Sequence, residues 1–181
     1  MIQELVVTKY DAAKRQLETA VLLYFNEMDP VSIHTLAAAG YNILRDINAK
    51  NCGGPMFLKD DAARFVRPEH VGEFKKKMNE AENFFKHADR DHDKSIKFRP
   101  AFSEFFLLGA AHKYRDLTSE SVPLFHLFDT WHMLVNPSIY ILPPEVERLR
   151  LSIEGDYING RRMKFLQDVY PLMLNVSGKV L

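Results

Sequence analysis

The chain has 181 residues, with 24 Lys plus Arg set against 24 Asp plus Glu, and so carries no formal net charge at neutral pH. That balance excludes a generally basic nucleic-acid coat and leaves any polyanion contact to a local patch. A single cysteine, Cys52, excludes an internal disulfide framework and a cysteine-rich zinc site.

The length suits one domain with a substantial core that folds without a metal or disulfide staple. No apolar run approaches the roughly 20 residues needed to span a bilayer, and MIQELVVTKYDAAKRQ lacks the apolar centre of a signal peptide. A soluble, cytoplasmic protein with no membrane association is expected.

Thr8 to Met28 places Ala13, Leu17, Val21, Tyr24 and Met28 at helical spacing. Asp29-Pro30 stops this helix and opens the next, because aspartate accepts from free helix amides and proline is tolerated in the first turn. So short a link predicts an antiparallel hairpin. The second helix, Val31 to Ile47, carries an apolar stripe with Ala37 and Gly40 small enough for close helix approach.

His34, Ala38, Tyr41 and Arg45 follow a second face of the same helix. An imidazole, a phenol and a guanidinium on one face form a candidate clamp for an anionic small molecule. The plainer alternative packs the Tyr41 ring and bonds His34 and Arg45 to a neighbouring helix or to solvent.

Periodicity lapses from Asn48 to Arg67, where AKNCGGP reads as a loop and Lys59 to Phe65 as a short helix. Pro68-Glu69 opens a third helix whose expected core stripe is Val71, Phe74, Met78, Ala81 and Phe85. Asn83 and His87 share another face, and His87 falls at the carbonyl end, where the helix dipole favours imidazolium. They are the candidate catalytic pair, His87 as acid or base and Asn83 as its orienter, with Lys86 an adjacent ligand-binding candidate.

Asp89, Asp91 and Asp93 alternate as in the start of an EF-hand, but Lys94 and Pro100 stand where its glycine and bidentate glutamate belong. A looser cation site from these three aspartates is the remaining metal reading. No cofactor is implied.

Arg99-Pro100 restarts a helix that runs to about Arg115, apolar on nearly every side and expected to be the most buried. Glu104 within it needs a partner, for which Arg45 is a candidate. Ser119 to Val135 reads as a further helix, with His126 and Asp129 a hydrogen-bonded pair one turn apart. Asp129 and His132 form a D-x-x-H pair, without the second motif that a di-iron bundle needs.

Glu145 to Leu174 reads as two short helices interrupted at Gly155 and Gly160, the last with a stripe through Met163, Phe165, Leu166 and Val169. The whole predicts an all-α, up-and-down bundle of five to seven helices. Residues 1–138 form its core and residues 139–181 a C-terminal helical extension on the same domain.

The phrases DPVSIHTLAAAGYNILRD (residues 29–46) and NFFKHADRD (residues 83–91) resemble those of a group of uncharacterised bacterial all-helical proteins. That resemblance covers the first two-thirds of the chain and brings no established activity with it. More remotely, a polar residue and a histidine near a helix end resemble the HEPN superfamily, which includes RNases and nucleotide-binding or structural modules.

Asn83 and His87 match the polar residue and histidine of its ribonuclease motif. Glu80, Ala81 and Glu82 stand where its arginine belongs, so the cation that would stabilise phosphate charge is missing. The expectation is a non-enzymatic binding or interaction module that self-associates as a homo-oligomer and meets a protein or anionic small-molecule partner. Phosphodiester chemistry on RNA or a nucleotide at Asn83 and His87, and divalent-metal binding, are the alternatives.

Overall fold

The computed structural model describes residues 4–61, 64, 66–89, 91–142, 144–157 and 161–177. Among them are seven α-helices: α1 (Lys9–Phe25), α2 (Pro30–Lys50), α3 (Pro68–Lys86), α4 (Phe102–Thr118), α5 (Pro123–Val135), α6 (Pro144–Tyr157) and α7 (Arg162–Ser177). A 3-10 turn spans Pro137–Ile139, and the described residues include no strand. The chain is therefore the all-α bundle its periodicity predicts.

Local chemistry sets the first two helices. The Thr8 hydroxyl accepts from the Asp11 amide at 3.1 Å while the Asp11 carboxylate accepts from the Thr8 amide at 2.9 Å, a reciprocal cap. Asp29 accepts from the Ser32 amide at 2.7 Å, with Pro30 in the first turn of α2.

The short link folds α2 back along α1, and α2 then packs on α4. Gly40 makes the close approach possible, because a Cβ there would stand 2.7 Å from Leu17 Cγ and 3.3 Å from the Ala13 carbonyl oxygen. On the other side of α1 lie α5 and α7, while α3 rests against α2. Phe25, Phe128, Trp131 and Phe165 join α1, α5 and α7 in one aromatic cluster.

Several boundaries differ from the sequence reading. The first helix ends at Phe25 rather than Met28, where Glu27 turns into the left-handed region at φ 54°. Ser119 caps α4 at φ 58° instead of starting the next helix, which begins at Pro123 because proline disfavours helix at the residue before it.

Gly155 lies within α6 and does not interrupt it, and Gly160 falls outside the described residues. Of the expected short helix from Lys59 to Phe65, Ala62, Ala63 and Phe65 also fall outside them. Met163 is exposed, whereas Phe165 is fully buried.

The stripe expected on α3 is only partly buried. Of its members only Met78 is buried, and the helix's other buried residue is Glu82, one turn on and outside that stripe. A buried carboxylate demands a partner, and its partner comes from the irregular loop after α2. There Leu58, at φ 81°, carries Lys59 inward.

Candidate functional site

The α2 face that carries His34, Tyr41 and Arg45 looks toward α3, α4 and the 52–61 loop, but its three polar side chains take three separate partners. The Tyr41 hydroxyl donates to the Phe57 carbonyl oxygen, and burial pushes the phenol up to about 12. Arg45 Nε donates to Asp60 at 2.7 Å. His34 Nδ1 meets Ser103 Oγ at 3.1 Å. The clamp expected on a single anion is thus divided, because the loop and α4 each reach the face first.

Beside it lies a buried ionic cluster. Lys59 Nζ stands 2.6 Å from Glu82 Oε2 and donates to Asn42 Oδ1 at 2.9 Å, and the Asn42 amide donates to Glu82 Oε1 at 2.8 Å. Lys86, the adjacent ligand-binding candidate, sits 3.7 Å from Glu82. Burial lowers the Lys59 pKa, against the raising effect of Glu82. Each polar atom here is answered by another, which marks the cluster as structural.

His34 is different. It is 1 % exposed, ringed edge-on by Phe85, Phe98 and Phe106, and burial lowers its pKa to about 4. Glu82 opposes that shift, while Lys59 and Lys86 add to it. The imidazole is therefore neutral at pH 7 and has one N–H to give.

The Ser103 hydroxyl has no other hydrogen-bond partner among the described residues, and its one proton is used when it donates to Nδ1 and the imidazole hydrogen sits on Nε2. Among the described residues no protein group accepts from Nε2. A buried donor left this way forfeits about 1–3 kcal/mol, so an acceptor is called for.

His34 lines a cavity of about 350 Å³ between α2, α3 and the start of α4. Phe74, Met78, Phe98 and Phe106 supply its apolar wall, and Phe102, 42 % exposed, stands at its lip. Lys77, Lys97 and Arg99 contribute cations and Glu80 an opposing charge. In the extended segment 96–99, Ile96 and Phe98 turn inward while Lys97 and Arg99 stay exposed.

No family model, curated protein or solved structure matches the chain.

Asn83 and His87 lie elsewhere, in a shallow depression shared with Asp89 and Asp91 and separate from the cavity of His34. Both are exposed, and the His87 amide closes α3 by donating to the Asn83 carbonyl at 3.0 Å. Asp93 does not line the depression, and among the described residues no group of three or more His, Cys, Asp or Glu is placed to hold a metal.

A second cavity, about 450 Å³, lies between α4, α5 and the 55–61 loop. Its buried imidazole, His132, meets Tyr140 Oη at 2.6 Å through Nδ1 and stands 3.5 Å from Glu104 through Nε2. Both nitrogens face protein groups. Glu104 thus lies near His132 and not Arg45, and burial raises its pKa against the lowering effect of a Tyr24 hydrogen bond and of Arg162. Asp129 likewise pairs with His112 at 3.2 Å, not with His126, which turns to Ser121 at 2.9 Å.

The sequence reading gave no site role to Ser103, Lys97, Arg99 or Phe98, and it took Arg99-Pro100 as a helix start, whereas α4 begins at Phe102. A signal for the last three is present in the alternation of Ile96-Lys97-Phe98-Arg99, the period of an extended segment with one face inward. Ser103 carries no comparable mark.

Proposed function

We propose that this protein is a binding module, not a catalyst, and that it holds a small molecule in the cavity between α2, α3 and α4. The observation that carries this reading is the Nε2–H of His34, buried, neutral and without an acceptor among the described residues at the wall of an aromatic-lined cavity. Apolar pockets with a few convergent polar groups are the usual form of a ligand site. The phosphodiester alternative draws less support, because Asn83 and His87 stand exposed beside Asp89 and Asp91, and no cation is among the described residues lining that depression.

Nitrogen-detected NMR of the histidines tests it. A ligand in the cavity accepts from Nε2 and shifts that resonance of His34 while leaving His87 unmoved. A small-molecule screen in which every hit shifts His87 and none shifts His34 would remove the reading.

Self-association belongs to the same proposal. Leu151 on α6 and Leu172 and Leu174 on α7 are exposed, apolar area that a second copy would cover. Sedimentation across micromolar concentrations tests this, and a single species of monomer mass throughout counts against it.

A further inference from the structure

The binding reading leaves the ligand's chemistry open, and three features of the cavity narrow it. The first is the wall. Phe74, Phe98, Phe102 and Phe106 line the space, an aromatic wall suited to a flat aromatic body. A volume of about 350 Å³ is at the small end of ligand sites. A single substituted ring fits that scale better than a long chain or a fused polycycle.

The second is where charge sits. Lys97 and Arg99 have no ion pair among the described residues, whereas Lys77 shares its charge with Glu73 at 3.1 Å. Lys97 and Arg99 are exposed, so the cavity's uncommitted cations are at its mouth and not in its depth. An anionic group placed there keeps part of its hydration and meets guanidinium and ammonium together.

The third is what waits inside. His34 offers a neutral N–H, and a neutral donor surrounded by phenyl rings has no charge with which to offset a desolvated carboxylate. The interior end of the ligand is therefore an uncharged acceptor such as a carbonyl oxygen. Reversing the ligand would bury its charge against phenylalanine and leave Lys97 and Arg99 unmatched.

We infer, resting on the binding reading above, that the cavity takes a small aromatic anion bearing its acid group at one end, against Lys97 and Arg99, and a neutral hydrogen-bond acceptor at the other, against His34 Nε2. Glu80 at the same mouth works against a second negative charge and favours a monoanion such as a carboxylate.

Three probes on the unaltered protein separate the parts of this inference. The first is 4-acetylbenzoate, with both features. Next, 4-isopropylbenzoate keeps the acid and shape but replaces the carbonyl with a hydrocarbon. The third, 4-acetylbenzyl alcohol, keeps the carbonyl but loses the charge. Titration calorimetry gives their affinities, and the His34 Nε2 resonance reports where each one sits.

The expected result is that 4-acetylbenzoate binds tightest and shifts Nε2. Loss of the acceptor weakens binding about fivefold, as one hydrogen bond warrants, and abolishes the Nε2 shift. Loss of the charge weakens binding by a comparable factor. The exposed substitutions Lys97→Ala and Arg99→Ala weaken the two acids several-fold and leave the alcohol unaffected, without disturbing the core.

If the alcohol and both acids bind equally and shift His34, the ligand class is overturned while the binding reading stands. If no probe, charged or neutral, shifts His34 and the cavity holds only water, both are overturned.

Discussion

Lys59 Nζ and Glu82 Oε2 lie 2.6 Å apart with both residues buried, an ion pair that ties the irregular 51–61 loop to α3. Removing two charges from water offsets much of their attraction, so the pair adds little by itself, yet neither member tolerates being left alone. We expect Glu82→Ala to destabilise the protein by about 3–5 kcal/mol, since it strands an ammonium between Tyr41 and Phe106. The double variant Lys59→Met with Glu82→Leu should recover most of that loss. Urea denaturation of the single and double variants checks both, and a double variant as unstable as the single one would contradict the account.

His34 gives stability a definite pH dependence. Its pKa in the fold is about 4 against about 6.5 in the unfolded chain, so between these values the unfolded state binds more protons. The His34 contribution is present above pH 6.5 and is lost as pH falls toward 4. His132, also lowered by burial, acts in the same sense, while Glu104, raised by burial, loses stability in the opposite direction as pH rises above 4.5. The comparison that isolates His34 is wild type against His34→Gln. We expect the variant's stability to fall less steeply between pH 6.5 and 4, read as chemical-denaturation midpoints across that range.

The tautomer of His34 follows from Ser103. Replacing Ser103 by Ala deletes the one proton donor to Nδ1, leaves that nitrogen unpartnered in the core, and lowers stability by about 1–3 kcal/mol. The two ring nitrogens then lose their distinction. Their ¹⁵N shifts, well separated in the wild type, should move toward one another in Ser103→Ala.

Much of the fold was legible because helices announce themselves by period and by caps. Asp29-Pro30 marked a stop and a start together, and Gly40 marked the closest approach of α1 and α2. The site was less legible for a physical reason: it depends on which long-range partner reaches each side chain first. His34, Tyr41 and Arg45 do share a face, but Ser103, Phe57 and Asp60 arrive from 69, 16 and 15 residues away and divide them. Glu82 could have been placed, since it follows the buried Met78 by one turn. Its partner Lys59 could not, because Leu58 turns the chain inward through a left-handed conformation that a leucine rarely signals.

Gly40 offers a test of packing that involves no charge. A methyl group there meets Leu17 at 2.7 Å and backbone at 3.3 Å, so α1 and α2 must separate or Leu17 must leave its rotamer. We expect Gly40→Ala to destabilise by about 1–3 kcal/mol despite alanine's better helix propensity, because overpacking outweighs the propensity gain of about 1 kcal/mol. Adding Leu17→Ala should make the effect of the alanine at position 40 vanish or change sign. Independent effects in the double variant would mean that the two residues do not meet.

The last helix bears on whether the chain unfolds as one unit. Phe165 of α7 is fully buried, its ring 5.2 Å from Trp131 and 6.1 Å from Phe25, and Arg162 lies over Tyr24 at 4.3 Å. Trp131 is the chain's single tryptophan and donates to the Tyr24 hydroxyl at 3.1 Å, so its fluorescence reports directly on the seam between α7 and the α1–α5 layer. Phe165→Ala should open a cavity beside the indole, shift its emission to the red, and lower stability by about 3–5 kcal/mol. If α7 belongs to the cooperative core, tryptophan fluorescence and far-ultraviolet circular dichroism of the wild type will trace coincident unfolding curves. An earlier fluorescence transition, with most helix still present, would show that α7 docks on a bundle already stable without it.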